Sequence, residues 1–241
     1  MPGIAHAKVT IMRIDIWSDL ACPWCYIGLI RFDKALANFP HRAAVHVNYR
    51  TFQLDPTLPE RDDRSEKQYL TETQGIPAQQ IDQLFAAMKS HGTAAGIAFN
   101  MDDVVVANSW TAHRLLHLAK QHDRSITDYV AQVTPKLKRE LLAGHFSRGL
   151  DLSSYAELAH TAVSVGLEEA RVRHVLGSDE FDDAARADVR KAESLGITAV
   201  PTYLFAQKYV LPGAQTVETF SDALQQVWEE FSHACRTDGC S

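Results

Sequence analysis

The chain has 241 residues, a hydrophobic fraction of 46% and a charged fraction of 22%, an ordinary composition for a soluble globular protein. Its formal net charge of −6 argues against nucleic acids and anionic membranes as partners, and no apolar run reaches the roughly 20 residues of a membrane helix. Four cysteines are too few for a secreted scaffold held by disulfides, and residues 1–8 lack the apolar core of a signal peptide. We therefore expect a cytoplasmic protein that binds neither nucleic acid nor membranes.

The N-terminal segment predicts a strand, a helix and a second strand. Residues 9–17 form an apolar, loosely alternating run that is typical of a strand inside a sheet. Residues 23–37 have the pattern of a helix, with Pro23 in the first turn, where a missing N–H costs nothing. Residues 43–52 place apolar and β-branched side chains at alternate positions, which indicates another strand. This order favours a right-handed βαβ unit with two parallel strands.

The motif Cys22-Pro23-Trp24-Cys25 joins the first strand to the helix. Two thiols separated by two residues can close into a disulfide and reopen with little backbone movement. Cys22 falls at the helix N-terminus, where the unpaired N–H groups and the macrodipole favour a thiolate. Strand, C-x-x-C and helix in this order indicate a redox motif. A zinc half-site, which needs a second Cys or His pair nearby, and a structural disulfide, which needs an oxidising compartment, are the alternatives.

The composition changes at Leu54, and from there to about Leu195 the chain predicts mostly helices. Residues 60–67 are mostly charged and predict a loop, while residues 101–107 predict a short strand or an extended connection. The apolar spacing places helices at residues 68–74, 77–90, 109–121, 126–142, 153–165 and 168–176. Glycines are expected to end three of them, at Gly92, Gly144 and Gly166.

Strand patterns return after Gly196. Residues 197–205 and 208–212 predict an antiparallel hairpin, and residues 217–231 predict an amphipathic helix with one apolar stripe. The expected architecture is an α/β domain made of residues 1–54 and 196–241, interrupted by a helical insertion domain at residues 55–195.

This arrangement resembles the thioredoxin fold (βαβ…ββα), and the large helical insertion before Val200-Pro201-Thr202 resembles the DsbA-like branch. Within that branch the chain resembles FrnE-type thiol–disulfide oxidoreductases from Met12 to about Phe231. The resemblance is carried by Ser18-Asp19, Cys22-Pro23-Trp24-Cys25-Tyr26-Ile27-Gly28, Asn108-Ser109-Trp110-Thr111-Ala112-His113-Arg114, Gly196-Ile197-Thr198-Ala199-Val200-Pro201-Thr202 and Gly213-Ala214-Gln215. The branch includes 2-hydroxychromene-2-carboxylate isomerases and kappa-class glutathione transferases, which carry serine in place of the first cysteine. Cys22 here points instead to dithiol chemistry.

The resemblance implies roles for the motif residues. Cys22 is the expected nucleophile and Cys25 the less exposed thiol that resolves the mixed disulfide. Pro23 and Trp24 are supporting residues between the cysteines, and Trp24 cannot supply the positive charge that histidine supplies at its position in DsbA. The Val200–Pro201 bond is expected to be cis and opposite the dithiol, which frees the backbone of Val200 to pair with a bound peptide. A trans proline at the start of a strand is the alternative.

Asp15 is a candidate proton shuttle. If the first strand is central and covered on both faces, this carboxylate is buried, its pKa is raised, and it could exchange a proton with Cys25. It also matches an acidic position of DsbA if one residue is inserted before the motif, with Asp19 as a loop residue near the helix start. A strand-edge carboxylate in water is the alternative reading of Asp15.

Two further residue groups are named by pattern. Asn108, His113 and Arg114 match a family segment near the active-site groove, although Asn108 also suits a helix N-cap. His113 and His117 have the four-residue spacing of some metal ligands, but no glutamate follows His113 and no third ligand is evident, so no metal site is predicted.

Cys235 and Cys240 lie in a C-terminal tail rich in turn-forming residues. They could form a second redox pair that exchanges with Cys22 and Cys25 or with substrate. They could also form a metal site, or belong to a flexible tail whose thiols oxidise incidentally.

The predicted activity is that of a thiol–disulfide oxidoreductase or isomerase acting on disulfide-containing proteins or peptides without a cofactor. Small-molecule thiols or a thiol reductase are the expected partners for recycling. The alternatives are a glutathione-dependent transferase or isomerase on the same fold, and a thiol metal-binding module without turnover.

Overall fold

The computed structural model of the chain describes residues 11–238, with side chains through residue 234. Its strands are β1 (Met12–Ser18), β2 (Val45–Thr51), β3 (Arg61–Ser65), β4 (Val105–Ala107), β5 (Thr202–Phe205) and β6 (Tyr209–Pro212). Its α-helices are α1 (Pro23–Ala37), α2 (Glu66–Gln74), α3 (Ala78–Ala95), α4 (Trp110–His122), α5 (Val133–Arg148), α6 (Tyr155–Ser164), α7 (Glu169–Leu176), α8 (Asp182–Ser194) and α9 (Val217–Asp238). No helix in this part of the chain combines the length and the apolar character needed to cross a membrane.

The main sheet has the strand order β2-β1-β5-β6. Strand β1 runs parallel to β2 and antiparallel to β5, with Ile16 opposite both Tyr49 and Tyr203. Strands β5 and β6 are antiparallel and joined by Ala206, Gln207 and Lys208. Ala206 and Gln207 have positive φ angles of 48° and 57°, and the Lys208 N–H donates to the Phe205 carbonyl at 2.9 Å, which closes a tight turn. The predicted βαβ unit and C-terminal hairpin are thus confirmed, although β5 begins at Thr202 rather than at residue 197.

Both faces of β1 are buried, and the two faces contact different layers. Ile14 and Ile16 belong to a large core cluster that includes residues of α1, α4, α5 and α9. Trp17 points to the opposite face, where it packs with Ala192 of α8 and donates a hydrogen bond from its indole Nε1 to the Asp188 carbonyl at 3.0 Å. This alternation decides which side chains of β1 can reach the cysteine motif.

The segment between β2 and β5 is mainly helical, as predicted, but two local predictions were wrong. Residues 61–65 pair with β4, with Arg61 opposite Ala107, instead of forming a loop. Aspartate is rare in strands, so this exposed polar ribbon carries no strand pattern in its sequence. Helix α5 begins at Val133 rather than at residue 126, because the Asp123 carboxylate accepts the backbone N–H groups of Val133 and Thr134. Pro135 then lies in the first turn, where proline is tolerated.

Gly92 and Gly144 do not end helices, contrary to prediction. Both lie inside longer helices, which end at Gly96 and Gly149 with positive φ angles of 88° and 69°. A Cβ at Gly92 would lie 2.4 Å from the Phe99 ring, and one at Gly144 would lie 2.7 Å from the Leu150 side chain. These two glycines therefore allow close packing rather than a turn.

Candidate active site

Cys22 is the N-cap residue of α1. Its backbone is extended (φ −109°, ψ 111°), its carbonyl accepts the Cys25 N–H at 3.0 Å, and Pro23 occupies the first helical turn. The Cys22 side chain is therefore held at the N-terminus of the helix. Cys22 is 4% exposed and Cys25 is 2% exposed, and both are free thiols.

The Val200–Pro201 peptide bond is cis and lies against the motif. The Cys22 Sγ is 3.8 Å from the Val200 carbonyl oxygen, to which it donates. The Pro201 carbonyl accepts the Gly213 N–H at 2.7 Å, which holds the loop before β5. The dithiol and the proline loop, which are far apart in the chain, thus meet at one place.

Gly28, which follows the cysteine motif in α1, permits this close approach. A Cβ at this position would lie 2.6 Å from the Tyr203 hydroxyl and 3.0 Å from Pro201 Cγ. Helix α1 can therefore pack tightly on β5 and on the proline loop only because residue 28 has no side chain.

Lys138 is buried beside Cys25. This lysine of α5 is 1% exposed, and its Nζ has no hydrogen-bond partner among the described residues. It shares the wall of a small cavity with Cys25 and Ser18, whose hydroxyl is also unpaired, and its Nζ lies 5.3 Å from the centre of the Tyr49 ring. An isolated cation in the interior is costly, so its position beside a thiol calls for a chemical explanation.

Burial shifts the pKa values of Lys138 and Cys25 in opposite directions. It lowers the pKa of Lys138 to about 8, against the stabilising charge of Cys25. Burial, reinforced by a hydrogen bond and charge from Cys22, raises the pKa of Cys25 well above its usual value, and the Lys138 charge opposes this. At pH above about 8 a neutral amine therefore lies beside a protonated thiol, which is a proton acceptor beside a donor.

Asp15 does not have the predicted role. It is buried, 3% exposed, but it lies on the Trp17 face of β1, away from the cavity that contains Cys25. Burial raises its pKa, but hydrogen bonds and charges from Asn48, Arg13 and Arg50 outweigh this effect, so the pKa of Asp15 is lowered. A carboxylate held ionised on the other side of the sheet is not a proton shuttle for Cys25.

Asp19 is the buried carboxylate near the motif, and its importance was missed. It accepts hydrogen bonds from Ser109 Oγ at 2.7 Å and from the Leu54 N–H at 2.8 Å, and its Oδ1 lies 3.3 Å from His113 Nε2. Burial raises its pKa, but the His113 contact and these donors lower it overall. Asp19 therefore ties the loop before Cys22 to the start of α4. One indication of this role was present in the sequence, because Asp19 lies close to the cysteine motif, in the Ser18-Asp19 pair.

His113 and His117 contact different side chains and do not face a common site. His117 Nε2 lies 3.1 Å from Thr51 Oγ1 and 3.3 Å from Asp188 Oδ2, whereas His113 faces Asp19. Burial lowers the pKa of both histidines. Within residues 11–238, no group of three or more His, Cys, Asp or Glu side chains could hold a metal ion.

The remaining residues of the family segment have structural contacts. Asn108 Oδ1 accepts the Trp110 N–H at 2.9 Å at the start of α4, and its amide donates to the Leu58 carbonyl at 2.7 Å. The buried Arg114 donates to the backbone carbonyls of Val175 and Ser178. Neither side chain is directed at the dithiol.

The predicted C-terminal pair lies largely outside the described residues. Cys235 falls within α9, but its side chain is not described, and Cys240 lies beyond residue 238. A second dithiol stays a prediction.

Comparisons with known proteins agree with this geometry. Residues 13–225 match the DSBA-like thioredoxin domain family. The structure of a protein described as probable DsbA oxidoreductase SCO1869, from Streptomyces coelicolor, is similar with a TM-score of 0.82 and 37% identity, covering 91% of each chain. The uncharacterized protein YwbO of Bacillus subtilis (strain 168) is 25% identical over 219 residues, 88% of this chain and 96% of that protein. The cytosolic disulfide reductase DsbM of Pseudomonas aeruginosa has the same fold, with a TM-score of 0.56 and 12% identity, covering 93% of this chain and 98% of that chain. By its sequence, its fold and the place of its cysteine motif, the chain belongs to the DSBA-like thioredoxin domain family.

Proposed function

We propose that the protein is a thiol–disulfide oxidoreductase that acts through Cys22 and Cys25 on disulfide-containing proteins or peptides. The observation that carries this proposal is the meeting of three features: a thiol at the N-terminus of α1, a second thiol one turn further on, and the Val200–Pro201 loop, whose Val200 carbonyl contacts Cys22 Sγ. Thiolates at helix N-termini are reactive nucleophiles in disulfide exchange.

The reaction consists of two exchanges. The Cys22 thiolate attacks one sulfur of the substrate disulfide, a Cys22–substrate disulfide forms, and the other substrate sulfur leaves as a thiolate. The Cys25 thiolate then attacks Cys22 Sγ, the Cys22–Cys25 disulfide forms, and the second substrate thiolate leaves. The dithiol loses two electrons and the substrate disulfide gains them. Two equivalents of a small-molecule thiol, or a thiol reductase, return the protein to its dithiol state.

Lys138 accepts the proton of Cys25 in this proposal. Cys25 must lose that proton before it attacks, and burial strongly disfavours the thiolate. Lys138 Nζ is unpaired, enclosed with Cys25, and has a pKa lowered to about 8, so an increasing fraction of the amine is neutral and able to take the proton as pH rises through 8. After transfer, the ammonium group stabilises the thiolate across a short, poorly solvated gap. Lys138 thus takes the role that the sequence assigned to Asp15.

The loop at Val200 and Pro201 is the proposed contact for the substrate backbone. An extended peptide that lies beside Val200 can pair with its backbone as an added strand, which places a substrate cysteine next to Cys22. Cytoplasmic location is part of the proposal and is supported by the low cysteine content. A Cys235–Cys240 pair that exchanges with the first dithiol is a further element of the proposal.

Trapping of the mixed disulfide tests this proposal. In Cys25→Ser the second exchange cannot occur, so a substrate peptide should stay attached to Cys22 and be detected by mass spectrometry after digestion. In Cys22→Ser no peptide should attach at residue 22 or 25. An adduct on Cys25 in Cys22→Ser at the rate seen for Cys22 would contradict the assignment of the nucleophile.

A further inference from the structure

A cavity of about 260 Å³ lies directly beside the cysteine motif. We call it the insertion pocket. Ala21, Pro23 and Trp24, which flank Cys22 in the chain, form one side of it. The other side comes from the helical segment, with apolar residues that include Leu58, Leu70, Ile76, Phe85 and Met88. Leu54 and Leu84, which are 51% and 39% exposed, lie at its wall and leave apolar surface open to a ligand.

The charges of the insertion pocket have one sign. Asp19, Asp55 and Glu66 line it, and no lysine or arginine among the described residues does so. His145 is also in the wall, but its ring is hydrogen-bonded to the Leu150 carbonyl and burial lowers its pKa, so it adds no charge at neutral pH.

Glu66 is the carboxylate without a partner. Asp19 is held by the contacts described above, and Asp55 accepts hydrogen bonds from the Tyr69 hydroxyl at 2.6 Å and from Thr57. The side chain of Glu66, the first residue of α2, makes no hydrogen bond or ion pair within the described part of the chain, and burial raises its pKa to about 7. A partly buried carboxylate in an apolar wall is stabilised when a cation enters beside it.

We propose that the insertion pocket binds a lysine or arginine side chain of the substrate polypeptide, next to the cysteine that reacts with Cys22. This inference rests on the proposed dithiol function and names its substrate class. The apolar wall contacts the methylene stem of the side chain, as such stems pack along apolar surface, and Glu66 pairs with the charged head. The cavity is smaller than the roughly 300–1,000 Å³ typical of sites for drug-sized ligands, which suits a single long side chain.

The same charges disfavour glutathione. Each glutathione carries two carboxylates and one ammonium group, so it would bring net negative charge to a wall that already holds Asp55 and Glu66. The insertion pocket therefore favours basic polypeptide disulfides over glutathione disulfide as substrates.

The test uses the full chain and three peptide disulfides. The peptides are identical except that the cysteine is flanked on both sides by Arg, by Leu or by Glu, and kcat/KM for reduction is measured with dithiothreitol as the recycling reductant. The native protein should prefer the Arg peptide to the Leu peptide by about tenfold, the effect of one charge-assisted contact, and should reduce the Glu peptide most slowly.

Substitutions of Glu66 test whether this side chain causes the preference for the Arg peptide. Glu66→Gln should reduce the Arg-to-Leu ratio to about threefold or less, and Glu66→Lys should reverse the order of the Arg and Glu peptides. Asp63→Asn is the matched control, because it removes the same charge from a fully exposed side chain on β3, outside the pocket wall. It should keep the native ratio. Circular dichroism checks that each variant is folded.

Two results would overturn the inference while leaving the dithiol function intact: equal kcat/KM for the Arg and Leu peptides in the native protein, or an Arg preference that persists in both Glu66 variants. If the folded native protein reduces none of the three peptides, the dithiol function itself fails and the subsite fails with it.

Discussion

Lys138 carries an amino group that is buried without a hydrogen-bond partner among the described residues. A fully buried ammonium group without a hydrogen bond loses its hydration and gains only long-range attraction in return. The pKa of Lys138, lowered from 10.5 to about 8, expresses this cost. A residue that destabilises the fold while lying beside a thiol of the C-x-x-C motif is better explained by function than by stability.

Replacing Lys138 with Met should therefore stabilise the protein at neutral pH. A lysine pKa of about 8 in the folded state, against 10.5 when unfolded, destabilises the fold fully below pH 8 by about 3 kcal/mol. The penalty disappears as pH rises from 8 to 10.5. The free energy of unfolding in urea at pH 7 should thus be higher for Lys138→Met than for the native protein, and the difference should shrink by pH 10. A variant that is less stable at pH 7 would contradict the picture of an unpaired buried charge.

The same substitution should slow the second exchange and alter its pH dependence. In the native protein the rate at which Cys25 displaces a peptide from Cys22 should rise through about pH 8, as the Lys138 amine becomes neutral. Lys138→Met should lack this inflection and be roughly 10²-fold slower at pH 8. Lys138→Arg keeps the charge but cannot release its proton, so it should also lack the inflection. Stopped-flow release of a labelled thiol measures the rate, and superimposable pH profiles would refute the proton-acceptor role.

The exchange of roles between Asp15 and Lys138 shows what sequence reasoning could reach at this scale. A buried acid on β1 was predictable, because the strand is apolar on both faces. The face of the sheet on which Asp15 lies was not predictable, because a strand buried on both sides has no polar face that orients it. Lys138 precedes Leu141 and Leu142 by one helical turn, so a lysine on the apolar side of α5 was a visible signal, but its neighbour Cys25 lies in another part of the chain.

At the scale of elements, the packing of α1 on β5 depends on Gly28. Gly28→Ala would place a methyl group 2.6 Å from the Tyr203 hydroxyl and 3.0 Å from Pro201, so the helix or the proline loop must shift. Overpacking of this kind costs about 1–3 kcal/mol. We expect a lower free energy of unfolding and, because Pro201 moves relative to Cys22, a severalfold loss of disulfide-exchange rate.

Gly177→Ala is the matched control for that prediction. Gly177 has an ordinary negative φ, and a Cβ there would meet only the Arg173 carbonyl, at 3.4 Å. Its stability and exchange rate should stay close to native. Equal behaviour of the two alanine variants would show that α1 and β5 are not in tight contact at Gly28.

An ion cluster joins β1 and β2 to α8. Arg50 donates to Asp15 at 2.8 Å and to Asp188 at 2.5 Å, and Lys120 reaches Asp188 at 3.2 Å. Burial raises the pKa of Asp188, but its contacts with His117, Lys120 and Arg50 outweigh burial and lower it strongly. Arg50→Met leaves two buried carboxylates with less compensation and should cost about 3 kcal/mol at pH 7.

The stability lost in Arg50→Met should depend on pH. Asp15 and Asp188 have lowered pKa values in the folded protein, so the stability they contribute is present above the unfolded value of 3.8 and is lost as pH falls below it. The difference in free energy of unfolding between the native protein and Arg50→Met, measured in urea, should therefore shrink as pH falls from 4 to 2. Arg13→Met, which removes a partner of Asp15 that is 41% exposed, should cost less than about 1 kcal/mol. An equal cost for both arginines would contradict the account of the cluster.

Elements were predictable where local pattern and burial agree. The βαβ unit, the hairpin at Ala206-Gln207 and most helices have apolar spacing that fixes their type. Strand β3 was missed because its residues are charged and its partner β4 lies far along the chain. The start of α5 was misplaced because side-chain contacts of Asp123 set it, although Pro135 marked a helix start near that position.

At the scale of the whole molecule, the helical segment approaches the dithiol from two sides. Helix α5 brings Lys138 beneath Cys25, and the segment around α2 and α3 forms most of the insertion pocket beside Cys22. The hydrogen bond that Ser109 Oγ donates to Asp19 ties this segment to the motif loop. The order of the elements was predictable, but these contacts were not, because they join residues far apart in sequence. The division into residues 1–54 and 196–241 with an insertion at 55–195 remains our proposal.

The central claim is that Cys22 is the nucleophile of a disulfide oxidoreductase, and insulin reduction with dithiothreitol tests it most directly. The assay compares the native chain, Cys22→Ser and Cys235→Ser/Cys240→Ser by the turbidity of the released B chain. The account predicts rapid reduction by the native chain and none above background by Cys22→Ser. Activity in the tail variant would make Cys235 and Cys240 dispensable, and its loss would place them in the relay. A native chain that reduces insulin no faster than dithiothreitol alone, or Cys22→Ser that reduces it as fast as the native chain, would contradict the account.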